Sequence, residues 1–345
     1  EMCIRDRYHV PDTCTIRYIN DDFLLHDFPD RYDYVIGNPP FFKLKASDPR
    51  LPLYRLEAKN KNTSNICSFF LEKSLRLAKY VALVFPKFLL NTPEFSTTRA
   101  ELAQKSVDAI LDFGEKGFPG ILVETIAIFI NNLAAPANTR VFSLTHRLHL
   151  TQPQAYIFDP KLPYWIIYRN QLFDSVCRKL DFDVFEVFRD RQLTNKLLSS
   201  SGELRVLKSR NLSDDGKEIL DIPGYDSYIS YAAAKPLSVF QYLDAPNVYL
   251  TPNMTYKPRM MKKPPHCVVN GSLAILIPKG GIVPTEKQLA YFSSEEYRAF
   301  YQIARNFQTR SLNVDACSVF FYGLLRDEAK PAPEKFDTSV QLSFL

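Results

Sequence analysis

Over residues 15–132 the apolar positions fall into short β-rich runs separated by stretches of helical period, the signature of a parallel α/β sheet. Residues 15–19 predict a short strand. Residues 32–37, apolar enough to lie centrally in a sheet, predict a second. Residues 68–78 place Phe70, Leu71, Leu75 and Ala78 on one helical face. A strand over 80–85 stops at Pro86, and a second helix over 97–106 opens on hydroxyl side chains suited to capping. Strands over 107–113 and 125–130 are joined by residues 114–124, a connection with three glycines and one proline. Too short for a helical crossover, it predicts an antiparallel hairpin closing the sheet edge.

Residues 133–138 are rich in small side chains and read as the start of a linker. Beyond them the regular alternation is lost, and the pattern predicts a second, α+β domain from about residue 150, with helices near 287–305. At 345 residues and 46% hydrophobic composition, there is material for two cores. The net charge of +5 neither requires nor excludes a nucleic-acid partner. Six scattered cysteines (Cys3, Cys14, Cys67, Cys177, Cys267, Cys317) lack metal-site spacing, so no metal centre is expected. They suit a reducing cytoplasm better than secretion. With no bilayer-length apolar run and no signal peptide, membrane association is not expected either. Residues 1–7 show neither hydrophobic period nor cap. Residues 1–14 are therefore read as non-native or disordered, and the chain as truncated upstream.

The most informative feature is Asn38-Pro39-Pro40-Phe41, directly after a hydrophobic strand. Open α/β sheets bind ligands beyond their strand ends. Two consecutive prolines fix both φ angles and remove two donors, so the turn is rigid and the preceding residue extended. The Asn38 amide oxygen and the Pro39 carbonyl can then accept both N–H bonds of an exocyclic amine, while Phe41 offers a face to its ring. Such acceptance directs the nitrogen lone pair toward an electrophile without a strong base.

With this turn in place, the chain resembles the TaqI-type (gamma-class) adenine-N6 DNA methyltransferases of restriction-modification systems. Three further segments carry the resemblance: Asp21-Asp22-Phe23-Leu24-Leu25 upstream, the run from Asn65 to Leu90, and Asp112 to Pro119 downstream. It implies S-adenosyl-L-methionine on a partial Rossmann-like methyltransferase sheet over residues 15–135 and a DNA target-recognition domain over 150–345. Asp22 would bond the adenine amino group of the cofactor, with Phe23 beside that ring. Phe118 would stack on a flipped-out target adenine opposite Phe41. Lys208, Arg210, Tyr256, Lys257, Arg259 and Arg310, in basic segments of the second domain, become candidates for contacts to double-stranded DNA. A monomer, with or without a cognate restriction endonuclease, is the expected state.

One departure is large. The family's glycine-rich cofactor loop and the acidic residue ending the next strand would precede Asp22, and no G-x-G cluster occurs before Asn38. Two other readings therefore stay open. Glutamine-directed protein methyltransferases and guanine-N2 RNA methyltransferases share the Asn-Pro-Pro-aromatic turn, and a catalytically incomplete DNA-binding fragment would keep the second domain.

Overall fold

A computed structural model describes residues 13, 15, 17–118, 120, 122–310 and 313–326. Its centre is a six-stranded mixed sheet of β1 (Tyr32–Gly37), β2 (Ala78–Pro86), β3 (Ser106–Gly114), β4 (Thr125–Asn131), β5 (Asn138–Ser143) and β6 (Leu148–Pro153). The order is β1-β2-β4-β3-β5-β6. β1 and β2 are parallel, as are β3 and β5, whereas β4 runs antiparallel to both of its neighbours. The ends of β1, β2, β3 and β5 and the start of β4 therefore lie along one edge of the sheet.

Helices α1 (Arg50–Leu56), α2 (Ile66–Leu77) and α3 (Ser96–Ala103) lie between the first strands. The predicted helices over 68–78 and 97–106 are thus present, shifted slightly toward the N-terminus. Asn65 caps α2 by accepting from the Cys67 N–H at 3.4 Å. The apolar side of α2 (Cys67, Leu71, Leu75) and Leu102 of α3 join Val81, Leu83, Phe85, Ile110, Ile126 and Ile128 in one core.

Four expectations need correction. Residues 15 and 17–20 form no strand. Among the described residues β1 is an outer strand, not a central one: Val35 reaches the core, but Tyr34 and Ile36 on the opposite face are 64% and 79% exposed. The β3–β4 pair is antiparallel as expected, yet β4 inserts between β2 and β3 instead of closing the edge. Its buried run, Thr125 to Ile128, suits an interior strand. Finally, residues 133–138 form a turn into β5, which extends the same sheet. The sheet so continues to Pro153, past the expected boundary at 135.

Beyond α4 (Gln154–Ile157) and α5 (Gln171–Lys179) come β7 (Leu180–Asp181) and β8 (Phe185–Phe188), then β9 (Leu204–Leu207) and β10 (Ser227–Ile229). After α6 (Tyr231–Ala234) follow β11 (Tyr249–Pro252), β12 (Met261–Lys262), β13 (Cys267–Val269) and β14 (Leu273–Pro278). The helices predicted near 287–305 are α7 (Glu286–Tyr291) and α8 (Glu295–Ala304), with Ser294 capping the second. β15 (Leu324–Leu325) pairs back on β7. Small sheets β10-β9-β13 and β12-β11-β14-β8 enclose a second core around Val206, Leu250, Val268 and Ile275. Residues of α5 and α8 instead pack into the first core. The second region is α+β, but it shares its base with the main sheet.

Candidate active site

The Asn38-Pro39-Pro40-Phe41 turn leaves β1 at its carboxyl end. Gly37 pairs with Leu83, and a Cβ at Gly37 would sit 3.3 Å from the Leu83 side chain, so the strand closes tightly here. Pro39 is buried and Phe41 half-buried against the main core, while Asn38 and Pro40 are exposed. The Asn38 amide has no partner among the described residues. Downstream, the chain is pinned to the start of α2. The Phe42 carbonyl accepts from Ile66 N–H at 3.1 Å, Leu44 N–H donates to the Ser64 carbonyl at 2.9 Å, and Lys43 bridges to Asn65. The turn is thus fixed on both sides while its amide is left unspent.

Asp22 opens a turn packed against α1 and α2. Its Oδ1 accepts from Leu24 N–H at 2.9 Å, and its Oδ2 accepts from the Tyr54 hydroxyl. Burial, with that carboxylate second, lifts the Tyr54 phenol to about 12. Phe23 stacks on Phe70 with ring centroids 4.9 Å apart, and Lys73 Nζ lies 5.8 Å from its centroid. A carboxylate offers about four lone-pair directions, so two protein donors leave Asp22 room for an incoming amine. Asp22 thus keeps acceptor directions beside the Phe23 ring, a pairing able to receive an amino-substituted heterocycle.

The neighbouring strand ends hold a group that the sequence did not single out. Lys87, just past β2, is fully buried; its Nζ lies 2.7 Å from Asp112 Oδ2 and 3.7 Å from Glu124 Oε1. Asp112 also accepts from the Tyr168 hydroxyl at 2.5 Å and from Gly114 N–H at 2.9 Å. Burial raises the Glu124 carboxyl, with Lys87 opposing, and burial likewise raises the Tyr168 phenol. His146, in the β5–β6 turn, is pushed down by burial and by Lys87. Only the apolar setting of Pro86-Lys87 and Asp112 hinted at this cluster, since both charges end runs that are otherwise core.

Phe118 is half-buried in the loop after β3. That loop is tightly folded: a Cβ on Gly117 would lie 2.3 Å from the Thr125 hydroxyl, and Gly114 has a φ of 56° with Thr145 against it. The basic candidates behave unequally. Lys208 Nζ bonds Ser227 Oγ at 2.9 Å and lies 3.9 Å from the Tyr225 ring, with Arg210 4.8 Å from the same ring. Lys257 is exposed and pairs with Asp214 at 3.2 Å. Tyr256 donates to the Thr309 carbonyl at 2.6 Å, and Arg310 Nε pairs with Glu115 at 2.9 Å. Arg259 is buried and spends its guanidinium on the carbonyls of Lys257, Ser209 and Leu212. It acts as an internal strut.

Residues 15–118 match the family model described as Eco57I restriction-modification methylase. The matched stretch runs from just before the Asp22 turn to Phe118. No curated protein matches the chain. Among solved structures, a type I restriction-modification methyltransferase subunit from Streptococcus thermophilus is 22% identical, covering 36% of this chain and 29% of its own length, with a TM-score of 0.31. The type IIL enzyme MmeI, solved with DNA, covers 84% of this chain and 46% of its own at 12% identity and a TM-score of 0.49. The type IIG endonuclease BpuSI covers 86% and 47% at 10% identity, with a TM-score of 0.37. This chain therefore spans less than half the length of each of these proteins.

Proposed function

We propose that this chain is part of an adenine-N6 DNA methyltransferase of a restriction-modification system, with Asn38 to Phe41 as its amine-binding turn. The observation that carries the reading is the unspent Asn38 amide on a rigid, double-proline strand end, inside the stretch that matches a restriction-modification methylase family. The Asn38 amide oxygen and the Pro39 carbonyl accept the two N–H bonds of the target amine, and Phe41 stacks the base from one side. Phe118 meets the extruded base from the other side, since an enzyme acting on a base atom must take the base out of the duplex. Asp22 and Phe23 hold the adenine end of S-adenosylmethionine, which when bound supplies the electrophilic methyl group. Duplex DNA lies across the basic loops of the second region.

Methylome sequencing of DNA from cells expressing the complete gene tests the reading, because it reports both the modified base and its context. N6-methyladenine at a fixed sequence is expected, and it should vanish with Asn38→Ala while DNA binding is retained. Methylation that survives Asn38→Ala would remove this residue from the mechanism.

A second reading, a DNA-specificity fragment that transfers nothing by itself, draws support from β1. Among the described residues nothing pairs with its outer edge, and its outer face leaves Tyr34, Ile36, Tyr80 and Phe129 around an open groove of about 590 Å³. Both faces of such a parallel sheet region are ordinarily covered. Calorimetry on the 345-residue chain separates the readings: measurable S-adenosylmethionine binding would exclude the inactive fragment.

A further inference from the structure

Three segments converge beyond the carboxyl edge of the sheet: the loop over 114–124 that carries Phe118, the loop over 253–258, and residues 306–310. Their junction is held at two levels. In the buried level, Arg310 N–H donates to Glu124 Oε2 at 2.8 Å, and Glu124 is backed by the fully buried Lys87 and Asp112. Tyr256 fixes the same strip of backbone through the Thr309 carbonyl.

The outer level is different. Glu115 Oε1 accepts from Arg310 Nε at 2.9 Å and from the Thr309 hydroxyl, with the Arg310 and Glu115 side chains 48% and 33% exposed. Those two donors hold the Glu115 carboxyl below its ordinary range. Neither Nη atom of Arg310 has a partner among the described residues. The planar fork of an arginine recognises phosphate oxygens in pairs, whereas here only Nε is engaged. An exposed ion pair of this kind is weak, so its partner is readily exchanged.

We propose that Glu115 and Arg310 form an exchangeable clasp: on binding duplex DNA, the Arg310 guanidinium passes from Glu115 to a backbone phosphate while its own backbone stays anchored on Glu124. This rests on the DNA reading above and extends it, because it couples phosphate contact to the loop that bears Phe118. Without DNA, Glu115 holds the guanidinium back and lowers non-specific affinity.

The test is fluorescence anisotropy of a labelled mixed-sequence duplex with the 345-residue chain at several KCl concentrations, in a double-mutant cycle. Glu115→Gln should tighten binding about two- to fivefold, the range expected from releasing an exposed pair. Arg310→Ala should weaken binding and reduce the salt slope by about one. In the Arg310→Ala background, Glu115→Gln should change affinity little, since the clasp is already lost. An equal gain in both backgrounds would mean that Glu115 acts only as a surface negative charge, and the clasp would be wrong although DNA binding stands. A wild-type chain with no salt-dependent binding to duplex DNA would sink the DNA reading itself, and the clasp with it. Circular dichroism melting of each variant, expected to match wild type, shows that the differences do not come from unfolding.

Discussion

Two strand ends lie on the same edge of the sheet and are built in opposite ways. At the end of β2, Lys87 is fully buried between Asp112 and Glu124, and those carboxylates are in turn bonded by Tyr168, Gly114 and Arg310. At the end of β1, two prolines stiffen the backbone while the Asn38 amide is left exposed and, among the described residues, without a partner. Since Gly37 pairs with Leu83, Asn38 stands three positions short of Lys87, about 10 Å along the strand direction. Spent polar groups mark where the molecule is held together. A rigid but unspent one marks where a ligand's donors can be received.

The comparison breaks first at Lys87. Replacing it with Met removes one partner of a buried charge cluster and leaves Asp112 and Glu124 uncompensated. Breaking buried pairs in this way costs about 3–5 kcal/mol, and urea unfolding followed by circular dichroism should show a loss of that size. The pH dependence supplies a second check. The Glu124 carboxyl already lies above its ordinary 4.5 because of burial. A raised acid pKa means that the native state holds more protons than the unfolded chain, so stability declines as pH rises from 4.5 through the folded value. Without Lys87 that decline should steepen, making the variant recover part of its loss on acidification from neutral pH. A loss below about 1 kcal/mol would show that the cluster does not anchor this edge.

A smaller effect is expected where the turn is tied to α2. Asn65 caps that helix and bridges Lys43, so it supports the turn from behind without belonging to it. Asn65→Ala should cost about 1 kcal/mol, the usual worth of a lost N-cap, read from the same urea curves. A neutral result would mean that the side-chain cap adds nothing to the backbone bonds that tie residues 42–44 to the start of α2.

How much of this was legible beforehand depended on whether a residue acts through its neighbours in the chain. The β1 strand, the α2 helix and the proline turn follow from local periodicity and from proline's fixed φ, and they lie where the pattern put them. β5 was missed because its inward residues include Thr139 and Ser143, which break the apolar alternation although both are buried. The interior position of β4 and the outer position of β1 depend on pairing partners far away in sequence, which periodicity does not encode. The Lys87 cluster escaped for the same reason, since its members lie just past β2, on β3 and in the loop before β4. Arg259 shows the converse: a basic residue in a basic segment looked like a contact to phosphate, but two of its three carbonyl partners, Ser209 and Leu212, lie 50 and 47 residues upstream.

The sharpest contrast with Lys87 is Asn38 itself. An exposed amide without a partner gives the fold nothing to lose, so Asn38→Ala should leave unfolding within about 0.5 kcal/mol of wild type. The same substitution removes one of the two acceptors that the proposed chemistry requires. Stability and methyl transfer should therefore separate completely at this residue, whereas at Lys87 they should fall together. Parallel urea curves and methylation assays of the two variants decide the matter. If Asn38→Ala unfolds at markedly lower urea, its amide has a structural partner, and the division between a spent and an unspent strand end fails.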